Sequence, residues 1–397
     1  MKKKIDPVVD EAIERLNMQD GPSRRRLLEG AGLFSATAAA SALIAACTSS
    51  SSSSATPTSA ASSSAAVVGN FPKTPAWQFW FVNHVTTNLF FVPTQYGMKD
   101  AAALLGLPAP KWGGSANSLV TEMVSYLDSA ISASANGIAT TVIDSHSFTT
   151  PVANAMNAGI PVITYNADGT VGAGGVADIS TNRLCYVGQA LYLSGQQMGQ
   201  RIKSLVTTPG EVVIFIATPG SGNIQPRSDG AQAVLKPAGY TVRQIATGAL
   251  TSAESSAEKA FLIGAKSTLK GAFAVDAGST ELLGPALASV GLKIPAGGFD
   301  LTPGTLNAIQ AGQLNFTINQ DPYLQGFLPV MYLYLFNLTG GLAAAPDTDT
   351  GLTFVDKSNV SQYLKTSTTY LGSTGATRPT LVPRSGPITN PVGTTST

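Results

Sequence analysis

The run "SLVTEMVSYLDSAISASANGIATTVIDSH", residues 118–146, sets the architecture. From Ser118 to Ala133 the apolar side chains recur at helical spacing, and a serine stands at the start in the position of an N-cap. Gly137 to Ile143 follows as a short, nearly unbroken apolar and β-branched run, the pattern of a strand covered on both faces. Asp144, Ser145 and His146 come directly after it. A helix, a buried strand and then polar residues at the strand's carboxyl end form one unit of a parallel α/β sheet.

The same unit recurs outward along the chain. Strands are expected at Gln78–Val82, Gly137–Ile143 and Pro161–Tyr165, and in a second set at Val212–Ala217, Thr241–Ile245, Ala272–Val275 and Ile294–Phe299. Helical spacing covers Ser118–Ala133, Gln189–Lys203, Ala257–Leu269 and Thr302–Ala311. That count predicts an α/β protein with two doubly wound, parallel-sheet lobes. A chain of 397 residues, 44% hydrophobic and 12% charged, is long enough to fill two such cores. A net charge of +1 gives no basic field for a phosphate backbone, so nucleic acid is not an expected partner.

The amino-terminal segment reads as an export signal rather than as fold. Ser23-Arg24-Arg25-Arg26-Leu27-Leu28 precedes an uncharged, alanine-rich run that ends in Leu43-Ile44-Ala45-Ala46-Cys47. The paired arginines resemble a twin-arginine signal, with Glu29 where lysine is usual, and Ile-Ala-Ala-Cys resembles a lipobox in which Cys47 is lipidated. Residues 1–47 are thus expected to be the signal and 48–72 a Ser/Ala/Thr-rich tether. Residues 367–397 form a Thr/Pro/Gly-rich tail. Past Cys47 only Cys185 remains, which excludes an intramolecular disulfide or a multi-cysteine metal site in the mature chain.

Familiar catalytic patterns are missing. Asp144, Ser145 and His146 are adjacent on an extended segment and point to opposite faces, so they cannot form a hydrogen-bonded triad. Gly172-Ala-Gly174 leads into Asp178-Ile-Ser-Thr-Asn instead of a helix, leaving a dinucleotide without its helix N-terminus. Gly264-Ala-Lys266-Ser267 lacks the spacing of a phosphate loop and reads as ordinary helix. What recurs is polar residues at the carboxyl ends of strands, where open α/β sheets bind ligands. These are Asn83 and His84, Asp144 and Ser145, Asn166 to Asp168, Asp276, Asp300, and Asn319 to Asp321.

Several of these segments also match a pattern. Asn88-Leu89-Phe90-Phe91 follows the first strand, "GIPVITYNAD" ends the first lobe's central strand at 159–168, and "YVGQALYLSGQ" spans 186–196. "ATPGSGNIQPRSDGA" carries Arg227, "AVDAGST" carries Asp276, "GGFDLTP" carries Asp300 and "INQDPYLQG" carries Gln320. In order and spacing these resemble the sugar-binding proteins of ATP-binding-cassette importers, the ribose-binding and autoinducer-2-binding group of type I two-lobed periplasmic receptors.

The resemblance implies lobes of 73–187 plus 321–350 and 188–320 plus 351–366, joined by a multi-strand hinge. It implies a sugar held by Asn88, Phe90, Phe91, Asn166, Asp168, Gln189, Arg227, Asp276, Asp300 and Gln320, with Trp112 a further flat surface. It also implies no catalytic residue, metal or cofactor, a monomer at the outer face of the membrane, and delivery to an ABC permease. Charged and amide groups suit sugar hydroxyls, and aromatic rings suit the C–H faces. A sensory receptor for a sugar or an autoinducer-2-like signal, or a receptor for a cyclic polyol, fits the same residues.

Overall fold

The computed structural model describes residues 72–169 and 181–366. The segment expected as a signal with Cys47, the expected tether except its last residue, the glycine-rich stretch at 172–177 and the expected tail lie outside them.

The chain builds β1 (Phe79–Asn83), a single 3-10 turn (Leu89–Phe91), α1 (Val92–Leu104), β2 (Lys111–Gly114), α2 (Val120–Ser132), β3 (Gly137–Val142), α3 (Ser145–Asn157), β4 (Val162–Asp168) and β5 (Tyr186–Gly188). It continues with α4 (Leu191–Leu205), β6 (Glu211–Ile216), α5 (Gln225–Leu235), β7 (Thr241–Ala246), α6 (Thr251–Gly264), β8 (Leu269–Ala274), α7 (Ala277–Val290), β9 (Ala296–Phe299), α8 (Pro303–Gln310) and β10 (Phe316–Asn319). The last elements are α9 (Pro322–Leu338), β11 (Thr348–Asp349), β12 (Thr353–Asp356) and α10 (Val360–Thr366).

Two six-stranded sheets result, ordered β11-β5-β4-β3-β1-β2 and β12-β10-β9-β8-β6-β7. The pairings are parallel except for β12, which runs antiparallel to β10 and closes the second sheet's edge. Each sheet therefore departs from the wholly parallel expectation by at most one edge strand. β1, β3 and most of β6 are buried along their length, because helices cover both faces. Phe81, Phe91, Met98 and Tyr165 fill one side of the first sheet, and Trp80, Met123, Leu127 and Phe148 the other. Phe215, Leu262, Leu283 and Ile309 pack on one side of the second sheet, with Met198, Ile214, Phe273 and Phe316 opposite.

Both lobes use the same close contact to seat their first helix. A methyl on Gly97 of α1 would lie 2.1 Å from the Tyr323 carbonyl of α9, and one on Gly326 of α9 would lie 1.9 Å from the Thr94 carbonyl. In the second lobe, a methyl on Gly195 of α4 would lie 2.1 Å from the Arg227 carbonyl, and one on Gly230 of α5 2.1 Å from the Tyr192 carbonyl. Backbones touch at these crossings, and any side chain there would separate the helices.

One expected helix is displaced. The run Ala257–Leu269 is occupied by the end of α6, which starts at Thr251 and stops at Gly264, while Leu269 opens β8. Glu254 and Glu258 lie on the buried face of α6 beside Leu262, so the helix's inner stripe is partly polar and its start is hidden from a hydrophobic pattern. Lys266 and Ser267 consequently sit in a turn rather than in helix.

The chain passes between the sheets after β5, after β10 and after β11. In both sheets the strand order reverses between the first and third strands of the lobe, β1 with β3 and β6 with β8, and these switch points face the same space.

Candidate functional site

A cavity of about 430 Å³ lies between the carboxyl ends of the two sheets. The first lobe lines it with His84 and Asn88 to Phe91 from the β1–α1 connection, Asn117 after β2, and Asn166 of β4. The second lobe contributes Asn223 and Arg227 after β6, Asp276 after β8 and Asp300 after β9, and Gln320 stands at the crossing between lobes.

Three polar residues at or next to the cavity adopt an unusual backbone. Asn166 (φ 62°), Asp300 (φ 77°) and Asp321 (φ 53°) adopt the left-handed conformation, which Asn and Asp tolerate better than other residues with a side chain. At Asn166 and Asp300 the kink ends the strand's alternation and leaves the side chain on the cavity. Asn166 Nδ2 then donates to Gln325 Oε1 at 3.1 Å and to Gln320 Oε1 at 3.4 Å. Gln320 Nε2 donates to Asp300 Oδ1 at 2.7 Å, and Thr350 Oγ1 donates to the Gln320 carbonyl at 2.7 Å. The hinge end of the cavity is thus a connected amide and carboxylate network.

Arg227 supplies the positive charge. Its guanidinium lies 4.3 Å over the Phe299 ring, Nη1 donates to the Val275 carbonyl at 3.0 Å, and Nε has no partner among the described residues. Burial disfavours its charge and the neighbouring Asp300 restores part of it. Burial also pushes the Asp300 carboxyl up to about 6, against the pull of Arg227 and of the Gln320 amide. Asp276 caps α7 by accepting the Ser279 N–H at 2.9 Å, and its other oxygen takes the Ala217 N–H at 2.8 Å. Its pKa is still raised by burial, with those bonds opposing the shift.

Aromatic walls come from the 3-10 turn. Asn88 caps it by accepting the Phe90 N–H at 2.9 Å, and Phe90 and Phe91 meet edge to face at 4.7 Å. Phe91 is also core, packed with Met98, whereas Phe90 remains half-buried. His84 stands edge-on to Phe91 at 5.3 Å.

Asp168, Gln189 and Trp112 do not line the cavity. The carboxylate of Asp168 is engaged by the Arg183 guanidinium and by Thr164 Oγ1, and Arg183 also binds Asp347, so this cluster ties β4 to the β11 edge. Gln189 follows β5 and donates Nε2 to the Gly351 carbonyl at 3.0 Å, which links two of the crossing segments. Trp112 packs on Phe81 and Phe91 and donates Nε1 to the Thr86 carbonyl at 3.3 Å. These contacts lie away from the cavity lining, and Gln189 Oε1 has no partner among the described residues.

Sequence reasoning did not single out Asn223, Asn117, Thr251, Glu254 and Glu281, all at the cavity. They sit in loops and first helical turns, where polar residues are ordinary, and only their convergence in space distinguishes them. His84 was visible as a strand-end residue, but not its cross-lobe bond: its Nε2 lies 3.1 Å from Asn223 Nδ2.

Residues 79–338 match the family model for a periplasmic binding protein domain. A relative from Sulfolobus acidocaldarius, the xylose/arabinose-binding protein XylF, is 47% identical over 320 residues, 79% of this chain and 79% of that one. A solute-binding protein from Burkholderia graminis, solved with D-arabinose, superposes with a TM-score of 0.66 at 24% identity over 73% of this chain and 99% of its own. A carbohydrate transporter protein from Acidothermus cellulolyticus, solved with myo-inositol, gives a TM-score of 0.64 at 26% identity over 73% and 98%.

Proposed function

Because the chain belongs to the periplasmic binding protein domain family, we propose that it is a lipid-anchored receptor that captures a pentose, xylose or arabinose, in its interlobe cavity and presents it to an ABC permease. The observation that carries this reading is the convergence of Arg227, Asp276, Asp300, Asn166 and Gln320 with Phe90 on one cavity. The high identity to a xylose/arabinose-binding relative supports the choice of sugar. A pentose offers hydroxyls all round its ring, and each needs a partner once water is excluded. Asp276 and Asp300 accept, Arg227 donates through the edge left free at Nε, and the amides of Asn166 and Gln320 do either. Phe90 covers a C–H face.

Capture works through the two lobes. The Gly222 N–H donates to the Ile143 carbonyl at 3.0 Å, and Asn223 reaches His84, so the lobes touch at the cavity wall. A sugar bonded by residues of both lobes favours this closed arrangement by its differential affinity for it. The closed form is then the one the permease receives. Export by the residue 1–47 signal, lipidation of Cys47, a tether at 48–72, the lobe boundaries at 187/188, 320/321 and 350/351, and a monomeric state complete the proposal. Recognition rather than turnover is the proposed activity. A cyclic polyol is a second reading, favoured by the likeness to the protein solved with myo-inositol.

A thermal-shift panel of the exported body tests the assignment, since a ligand that binds only the native state raises its melting temperature. Xylose and arabinose are expected to give the largest shifts. A panel in which no sugar or polyol shifts the transition contradicts it.

A further inference from the structure

Besides Arg227 and Asp276, the cavity is lined by Thr251 and Glu254 of α6, Glu281 of α7 and Asn117 of the first lobe. Glu254 is only 5% exposed, and its carboxyl packs against the backbone of Gly278: a methyl there would lie 2.3 Å from Oε1. Its neighbours are pinned. Asp276 is held by Ser279 and Ala217, and Glu281 accepts the Gly304 N–H at 2.9 Å. For Glu254 no hydrogen-bond donor is present among the described residues.

Behind it, one helical turn along α6, Glu258 is fully buried and neither of its oxygens has a partner among the described residues. Asp276 and Glu281 of α7 act on Glu254, and Asp276 and Glu254 act on Glu258, all of them acidic. Arg227 of α5 acts on Asp276 and Asp300 instead. After β7, the Thr247 hydroxyl pairs with that of Ser279, beside Asp276, at 2.9 Å. Of these four carboxyls Arg227 acts on Asp276, and a group so gathered with one cation cannot all ionise.

We propose that Glu254 is a further ligand-contacting residue that determines specificity where α6 and α7 line the cleft, donating the O–H of a neutral carboxylic acid to an oxygen of the bound sugar, while Asp276 and Glu281 beside it keep the proton in place. The inference rests on the sugar-binding reading and adds to it a residue and a proton. Burial pushes Glu258 up to about 9 and Glu254 up to about 7, with Asp276 adding to both. A sugar brings no positive charge, and closing over it strips water from Glu254, so the closed complex holds the proton more firmly than the open protein. Binding is then accompanied by proton uptake once the pH exceeds the value at which the open form releases it.

The test is a calorimetric titration of the exported body with xylose and with arabinose at pH values from 5 to 9, on the wild type, Glu254→Gln and Glu254→Ala, with a melting curve for each protein. The wild-type affinity is expected to fall above about pH 7, by at most about tenfold per pH unit for one proton. Glu254→Gln keeps an N–H donor and no charge. It is expected to bind within about threefold of wild type at pH 5 and to lose the alkaline decline, whereas Glu254→Ala binds about tenfold more weakly at pH 5. A wild-type affinity independent of pH, or an alanine variant as tight as wild type at pH 5, overturns the inference while leaving the sugar-binding reading intact. Failure of the wild type to bind any sugar overturns both.

Discussion

His84 and Asn223 meet across the cleft, Nε2 to Nδ2, at 3.1 Å. Burial pulls the histidine down to about 3, so the ring is neutral, and the Asn223 amide donating to Nε2 places the ring proton on Nδ1, which faces Thr141 Oγ1 at 3.2 Å. The residues come from different lobes, and the bond exists only while those lobes are together. Removing it should therefore act on the closed state alone. Asn223→Ala is expected to weaken sugar binding about three- to tenfold, through faster dissociation, as the loss of one hydrogen bond allows. Stopped-flow release kinetics check this; an unchanged release rate contradicts the latch.

Arg227 calls for a sharper substitution than alanine. It is 2% exposed, stacked on Phe299 and bonded to the Val275 carbonyl, so truncation removes packing as well as charge and leaves Asp276 and Asp300 facing each other. Arg227→Ala is expected to lower both stability and affinity. Arg227→Lys keeps the charge but not the planar fork, and it is expected to lose tenfold or more in sugar affinity with a smaller change in melting temperature. Paired melting and binding curves separate the two effects.

The glycine crossings predict a difference between lobes. Gly326→Ala presses on the backbone of Thr94 and Met98, which do not line the cavity, and it is expected to destabilise the protein by about 2–3 kcal/mol in chemical denaturation. Gly195→Ala presses on the backbone of Arg227 itself, so it should reduce sugar affinity along with stability. Equal affinity in the two variants would show that Arg227 is not held in place by α4.

Glu258 sets the pH dependence of stability. Its folded-state pKa of about 9 lies above the ordinary 4.5, so the folded protein keeps a proton that the unfolded chain releases. The stabilisation is complete below about pH 4.5 and is lost as pH rises through about 9. Glu258→Gln, which cannot ionise, is expected to melt near the wild-type temperature at pH 4 and above it at pH 9. A variant with the same alkaline slope as wild type contradicts the assignment.

The sheet architecture was legible because β1, β3, β6 and β9 are buried on both faces and read as apolar runs ending in polar residues. Asn166, Asp276, Asp300 and Gln320 could be placed by that rule alone, since a strand's carboxyl end must point at the cleft. The rule also selected Asp168, and the resemblance Gln189, which turn to Arg183 and Gly351; nothing local distinguishes a residue that holds the hinge from one that faces the cavity. Glu254 and Glu258 escaped notice for the opposite reason. Two glutamates four residues apart look like a solvated helical face, and only the packing of α6 on α7 turns them inward.

The most direct measurement is a calorimetric titration of the exported body with xylose, run in parallel on wild type and Asp300→Asn. Asp300 is the carboxylate that joins Gln320 at the hinge end of the cavity and stands in the field of Arg227. One sugar per wild-type chain and an affinity at least tenfold weaker in a variant that melts normally are the predicted results. No binding of xylose, arabinose or any other sugar by the wild type, or equal binding by the variant, would contradict capture in this cavity.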